Sequence, residues 1–130
     1  MRVLNTFGVG DVWLGSPIQT MTRLYAFDGV TLLTTGNVTS VKRSIGVKVN
    51  GVWVAGDVRT IPVSSVISGV QVANGWSVDS VGYNFRDVVP ASLLATAGLT
   101  RIDYVVTTSD GNSVPFVTEA NVRDPFSTAV

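Results

Sequence analysis

Carboxylates are the side chains in this sequence that could do acid–base chemistry, because the 130-residue chain contains no histidine and no cysteine. Nucleophilic triads of the serine or cysteine type need an imidazole base, so this class of enzyme is excluded. Two carboxylates that face each other across a cleft can hydrolyse a glycoside without histidine. The candidates for such a pair are Asp57, Asp79, Asp87, Asp103 and Glu119.

The spacing of these carboxylates favours a structural role. Nothing in the sequence pairs them, and Asp87 directly follows Arg86. The fold predicted below also brings Arg101 and Asp103 near Asp87. We therefore expect an Arg–Asp network that ties a helical corner to its flanking strands, and we expect no enzyme activity. An oxygen-only glycosidase remains the enzymatic alternative.

Metal and cofactor sites are not expected either. Without histidine or cysteine a metal site would need oxygen ligands, and Asp110 and Asn112 could in principle hold a calcium ion. The full calcium-loop spacing is absent, so Asp110-Gly111-Asn112 predicts a hairpin turn. Gly8-Val9-Gly10 lacks the third glycine and the following helix of a phosphate-binding loop. We predict no cofactor and no metal.

Composition narrows the class of partner. Nine basic and nine acidic residues are scattered along the chain, which argues against nucleic acid or an anionic membrane as a partner. No apolar run approaches the ~18 residues of a membrane helix, and the N-terminus lacks the apolar core of a signal peptide. The chain is 45% hydrophobic and 14% charged. That balance suits a protein that hides part of its surface in an assembly, and a large dry core is the alternative.

Strand periodicity dominates the pattern. Val41, Ile45, Val47 and Val49 alternate with polar residues, and Arg43 falls on their apolar side, so it must find a partner or lie near an edge. Asx-Gly pairs at positions 28/29, 50/51, 74/75 and 110/111 divide the chain into consecutive hairpins.

The stretch from Trp76 to Tyr104 organises the predicted fold. It reads as a strand, a short helix that Pro90 opens and Gly98 closes, and a second strand. This pattern predicts an all-β, immunoglobulin-like antiparallel β-sandwich of about seven to nine strands, with one short helix near residues 90–97. A closed barrel is the alternative.

The same pattern divides the chain into three parts. Residues 1–15 are an N-terminal arm or edge strand, 16–118 the β-sandwich domain, and 119–130 an extended C-terminal tail. Trp76 and Tyr83 suit the core, Trp53 is expected to be exposed, and Trp13 is expected to be covered. The predicted interaction residues are Phe7, Trp13, Leu14, Trp53 and Phe126.

One motif carries a resemblance. Gly82-Tyr83-Asn84-Phe85-Arg86-Asp87 is followed by Pro90-Ala91, Tyr104 and the Asp110-Gly111 hairpin. Over roughly Thr20 to Val117 the chain resembles the small immunoglobulin-like sandwiches of tailed-phage virions. These include capsid decoration (cement) proteins and the N-terminal module of baseplate upper proteins.

The resemblance implies a non-enzymatic structural virion protein, assembled in the host cytoplasm, that stabilises the capsid through subunit contacts. It implies the major capsid protein as partner and a homo-oligomer, possibly a trimer, with the arm and tail clipping onto the shell. A lone module without a second domain favours the capsid role. The alternative is a tail or baseplate module, or a receptor- or carbohydrate-binding module.

Overall fold

The computed structural model describes the backbone of residues 3–5 and the whole of residues 11–124. These residues form nine strands in two sheets. The strands are β1 (Val3–Asn5), β2 (Asp11–Trp13), β3 (Ile18–Leu24), β4 (Val38–Val49), β5 (Val52–Ile61), β6 (Ile67–Gln71), β7 (Tyr83–Val89), β8 (Gly98–Thr108) and β9 (Ser113–Arg123). The predicted all-β sandwich is confirmed.

The strand order is the immunoglobulin-like one. The four-stranded sheet has the order β1-β3-β7-β6, and the five-stranded sheet has the order β2-β9-β8-β4-β5. In immunoglobulin lettering these are A-B-E-D and A′-G-F-C-C′. The pairing between β2 and β9 is parallel, whereas the other pairs are antiparallel. The described strands thus form two open sheets, as in a sandwich, and not a closed barrel.

The core lies between the two sheets. Inward-facing side chains of both sheets form one cluster, which includes Val41 and Ile45 from β4, Phe85 from β7, and Ile102 from β8. Phe85 packs edge-on against Tyr104, with their ring centroids 5.1 Å apart. Apolar burial of this kind supplies most of the stabilisation of a sandwich.

The β4–β5 hairpin follows its sequence signal at the turn and departs from it further on. Asn50 and Gly51 have φ angles of 53° and 79°, as a two-residue primed turn requires. Gly56-Asp57, a pair of residue types typical of turns, does not end the second strand, and β5 continues to Ile61. The register shifts between Ser44 and Gly46, and one extra residue on β5 forms a bulge there.

Helical structure is shorter than expected and partly elsewhere. The corner near residues 90–97 contains a single 3-10 turn, Ala91–Leu93, because the chain is extended again from Gly98. A four-residue helical turn, α1 (Val63–Val66), follows Pro62 in a segment that reads as strand. The hairpin predicted at Asp28-Gly29 is reduced to one bridge, between Tyr25 and Leu32.

The two ends of the chain add strands to the sandwich. Of the two alternatives for residues 1–15, an arm or an edge strand, the described residues take the second, because β1 pairs with β3 and β2 pairs with β9 at the edges of the two sheets. β9 continues past residue 119 to Arg123. Its alternation persists there, since Ala120 and Val122 are buried while Glu119 and Asn121 are exposed.

Candidate functional site

The aspartates proposed for catalysis are each held by an arginine. The closest contacts are Arg59 Nε–Asp57 Oδ2 at 2.6 Å, Arg23 Nη1–Asp79 Oδ2 at 2.8 Å, Arg43 Nη1–Asp87 Oδ2 at 2.9 Å, and Arg101 Nε–Asp103 Oδ1 at 2.8 Å. Glu119 lies opposite Arg101 in the β8–β9 register. Within the described part of the chain, no three or more Asp and Glu side chains gather as a metal site would need. Each of these four aspartates is thus one half of an Arg–Asp ion pair.

The central pair crosses the interior of the sandwich. Arg43 on β4 lies beside Tyr104 on β8, and Asp87 on β7 lies across the core from both. The Tyr104 hydroxyl donates to Asp87 Oδ2 at 2.6 Å, and Arg43 and Asp87 are only 4% and 5% exposed. Burial, followed by the nearby Asp87 charge, raises the pKa of Tyr104, so the phenol stays protonated and donates. Arg43 thus has the partner that its position required.

The partners of Asp87 correct the sequence-based network. We expected Asp87 to associate with the neighbouring Arg86 and with Arg101. Instead Arg86 donates to Gln19 Oε1 at 2.7 Å, and Arg101 pairs with Asp103. The reason is strand alternation: Arg86 and Asp87 point to opposite faces of the four-stranded sheet.

Asp110 behaves as a turn residue. Its carboxylate accepts a hydrogen bond from the Thr108 hydroxyl and another from the Asn112 N–H at 3.2 Å. These bonds, that of the Thr108 hydroxyl first, lower the pKa of Asp110. The carboxylate thus stabilises the β8–β9 turn.

The outer side of the five-stranded sheet is exposed, and we call it the open face. Register places its side chains in rows across β5, β4, β8 and β9. Three such rows are Ala55–Gly46–Arg101–Glu119, Val58–Ser44–Asp103–Val117 and Thr60–Lys42–Val105–Pro115. Val58, Val105 and Val117 are 65%, 37% and 37% exposed, so the surface mixes apolar side chains with balanced charges.

Trp53 stands at the β5 edge of the open face and is 42% exposed. A Cβ added at Gly46 would lie 3.8 Å from the Trp53 ring, so the indole lies over this glycine. The Lys48 ammonium is 5.8 Å from the ring centroid, within cation–π range. Beside the indole, Arg101 and Asp103 help to line a shallow cavity of about 290 Å³.

Trp13 stands at the opposite edge of the same sheet. It pairs in register with Arg123 and is 58% exposed, so the described residues leave uncovered a side chain that we expected to be covered. Asp11 and Arg123 form an ion pair at 3.1 Å beside it. Leu14 is half-buried and packs against the main core. The predicted contacts Phe7 and Phe126 lie outside the described residues.

The outer side of β3 and β7 is covered by the loop of residues 72–82, and we call it the closed face. Trp76 from this loop, 7% exposed, packs with Met21 and Tyr83. The two aromatic residues are buried as expected, but in this separate cluster and not in the core between the sheets. The Gln19 side chain donates to the Asn74 carbonyl at 3.0 Å, and Asn74 donates to the Tyr83 hydroxyl at 2.6 Å. The loop is thereby bonded to the sheet beneath it.

An Arg–Asp pair that the sequence did not lead us to expect holds this loop. Arg23 donates to Asp79 and, at 3.0 Å, to the Gly82 carbonyl. The Gly82 N–H, the Arg23 guanidinium and the Trp76 indole hold the pKa of Asp79 at about 2. One sign of this pair was present in the sequence: Arg23 is a charged residue within a strand, and the other residues of that strand are buried or half-buried. A charge in such a position needs a partner.

Comparisons with known proteins do not assign a family. No family model matches the sequence, and no curated protein matches it. Across the described residues, no helix is long and apolar enough to cross a bilayer.

Proposed function

We propose that this protein is a non-enzymatic structural protein of a tailed-phage virion that decorates and stabilises the capsid. The observation that carries the proposal is the open face, with Trp53 at one edge and Trp13 at the other. Aromatic and apolar side chains left exposed on one face are typical of protein interaction sites. The motif resemblance supplies the choice of a virion as the assembly.

Charge supports a contact of this kind. The net charge is zero, and the open face carries ion-paired Arg101 and Asp103 between apolar residues. An interface built on such a face depends on shape and apolar burial more than on long-range attraction. A protein that binds only the assembled shell stabilises the shell by mass action, and many copies multiply the effect.

The proposed partner is the major capsid protein encoded in the same genome, and the proposed location is the virion. The test is co-sedimentation of the purified chain with empty shells assembled from that capsid protein. We expect saturable binding, a higher melting temperature of the decorated shell, and little change of binding with salt. A chain that stays in the supernatant at all concentrations would contradict the proposal.

A second candidate is a carbohydrate-binding or receptor-binding module, including one within a tail or baseplate. The cavity beside Trp53 favours it, because an indole that stacks on a sugar ring and an Arg–Asp pair that bonds its hydroxyls are a usual combination. Quenching of tryptophan fluorescence by a glycan panel, lost in Trp53→Ala and kept in Trp13→Ala, would favour this candidate over the capsid role.

A further inference from the structure

The edge of the sheet at β5 is ten residues long and is interrupted by one bulge. Among the described strands, β5 has a neighbour on one side only, so one row of its backbone groups faces outward. Its ten residues include no lysine and no proline, which commonly protect such edges. Val52, Val54 and Val58 are 64%, 51% and 65% exposed. The bulge at Gly56-Asp57 divides this edge, and the part beyond it runs from Asp57 to Ile61.

Alternation shows which groups are available beyond the bulge. The two-residue turn at Asn50-Gly51 makes Val49 and Val52 a hydrogen-bonded pair, so the odd-numbered residues of β4 bond to β5. Arg59 pairs with Arg43 and therefore turns its backbone towards β4. Val58 and Thr60 then turn their N–H and C=O groups outward.

We propose that a second copy of this chain pairs with this edge, antiparallel, about a two-fold axis at Val58. Val58 then opposes its own copy in a hydrogen-bonded pair. Asp57 opposes Arg59 of the second copy, and Arg59 opposes the second copy's Asp57. These two charged pairs fall at non-hydrogen-bonded positions, where facing side chains are closest.

The charges of Asp57 and Arg59 favour a two-fold axis at Val58 over an axis one residue to either side. An axis at Asp57 would place two aspartates opposite each other, and an axis at Arg59 would place two arginines opposite each other. Like charges directly opposite are destabilising, whereas opposite charges stabilise a cross-strand pair. The strand is thus self-complementary in the way that a two-fold interface requires.

Asp57 and Arg59 already form an ion pair within one chain. Arg59 donates to both Asp57 oxygens, at 2.6 Å from Nε and 2.7 Å from Nη2, and its side chain is 49% exposed. Arg43 Nη2 lies 4.0 Å from Asp57 on the inner side. The Arg59 guanidinium lowers the pKa of Asp57, so the carboxylate is ionised at neutral pH. Pairing adds a third arginine to this carboxylate, after Arg59 and Arg43 of its own chain, and buries the exposed Val58.

This contact specifies the homo-oligomer that the resemblance implies, and in that respect it rests on the proposed function. It gives a two-fold contact, whereas the resemblance suggests a trimer. The pairing is tested on the purified chain with no shell present, so its failure and the failure of shell binding are read separately.

The chain has no cysteine, which allows a direct test by crosslinking. In a hydrogen-bonded antiparallel pair the Cα atoms are about 5.5 Å apart, within the range of a disulfide. We expect Val58→Cys to form a covalent dimer under mild oxidation. The matched control is Val117→Cys, which lies in the same row of the open face but on β9, at the other end of that row from the proposed axis. It should stay largely uncrosslinked.

A second pair of variants measures the association itself. Light scattering should show a wild-type dimer, weakened about tenfold or more by Val58→Lys, because two lysines would then meet at the axis. Val117→Lys should leave the dimer unchanged. Both sites are exposed, so near-UV circular dichroism should match the wild type. A monomeric wild type, a dimer unaffected by Val58→Lys, or one dissociated by Val117→Lys overturns the proposal.

Discussion

The two outer faces of this sandwich carry the same kinds of side chain in different surroundings. Each has a tryptophan and an Arg–Asp pair at 2.8 Å. On the closed face Trp76 is 7% exposed and the Arg23 side chain 6%, whereas on the open face Trp53 is 42% exposed and the Arg101 side chain 43%.

The difference arises because residues 72–82 fold over one sheet only. On the closed face the shared residue types therefore contribute to the stability of the chain. On the open face they are available to another molecule. Matched substitutions on the two faces test this division.

The largest difference is expected at two glycines. Gly82 ends the loop with a φ of 107°, and a Cβ there would lie 2.1 Å from the Gln71 carbonyl oxygen. Gly82→Ala should cost about 3 kcal/mol or more through strain and the backbone clash. Gly46, on the open face, meets only ordinary contacts at 3.5 Å and 3.8 Å. Gly46→Ala should change the urea midpoint little, and a similar loss in both variants would contradict the division.

The tryptophans give the next difference. Trp76→Ala removes a buried aromatic side chain that packs on Met21 and Tyr83, and should lower the free energy of unfolding by about 3–5 kcal/mol. Trp53→Ala removes an exposed one and should cost about 1 kcal/mol or less. Urea unfolding followed by circular dichroism measures both. Equal losses would mean that Trp53 supports the fold as much as Trp76 does.

The Arg–Asp pairs give a smaller effect, with a pH dependence. Asp79→Asn leaves the buried Arg23 without its carboxylate and should lower the unfolding midpoint at pH 7. Asp103→Asn, in an exposed pair, should cost about 0.5 kcal/mol. Asp103→Asn is therefore the control, and its unfolding midpoint should fall less than that of Asp79→Asn.

The pH dependence follows from the direction of the shift. Since the pKa of Asp79 is about 2 in the folded chain and 3.8 ordinarily, its contribution is present above about pH 4 and is lost as the pH falls towards 2. The gap between wild type and Asp79→Asn should close over that range. The stability of the Asp79→Asn variant should still fall somewhat over this pH range, because the Thr31 hydroxyl holds the pKa of Asp28 at about 2 as well. A gap that is constant from pH 7 to 2 would show that Asp79 does not act through its charge.

Local patterns made much of the fold predictable. The Asn50-Gly51 turn, the alternation along β4 and the burial of Trp76 and Tyr83 all follow from the sequence. The end of β9 could also have been predicted, because its period-2 pattern continues through Val122. We had placed the end of the strand at Thr118. The bulge in β5 could not have been predicted, since Gly56-Asp57 is equally typical of a turn that ends a strand.

Contacts between distant segments were the part that the sequence could not supply. Arg43 clearly needed a partner, but Asp87 lies on the other sheet and 44 positions away. The same holds for Arg23 and Asp79, which are 56 positions apart. Only the three-dimensional arrangement shows that one of two similar faces is covered. The exposure of Trp53 was expected from its position beside a turn, but that of Trp13 was not, because no local pattern shows whether another segment covers a side chain.

The central claim is that the open face binds another protein surface. Co-sedimentation with the capsid shells tests it most directly when Val117→Lys is compared with Val88→Lys, a 40% exposed valine on the outer side of β7. We predict that Val117→Lys loses shell binding about tenfold or more while Val88→Lys binds as the wild type does. Loss in Val88→Lys with normal binding of Val117→Lys would contradict the account.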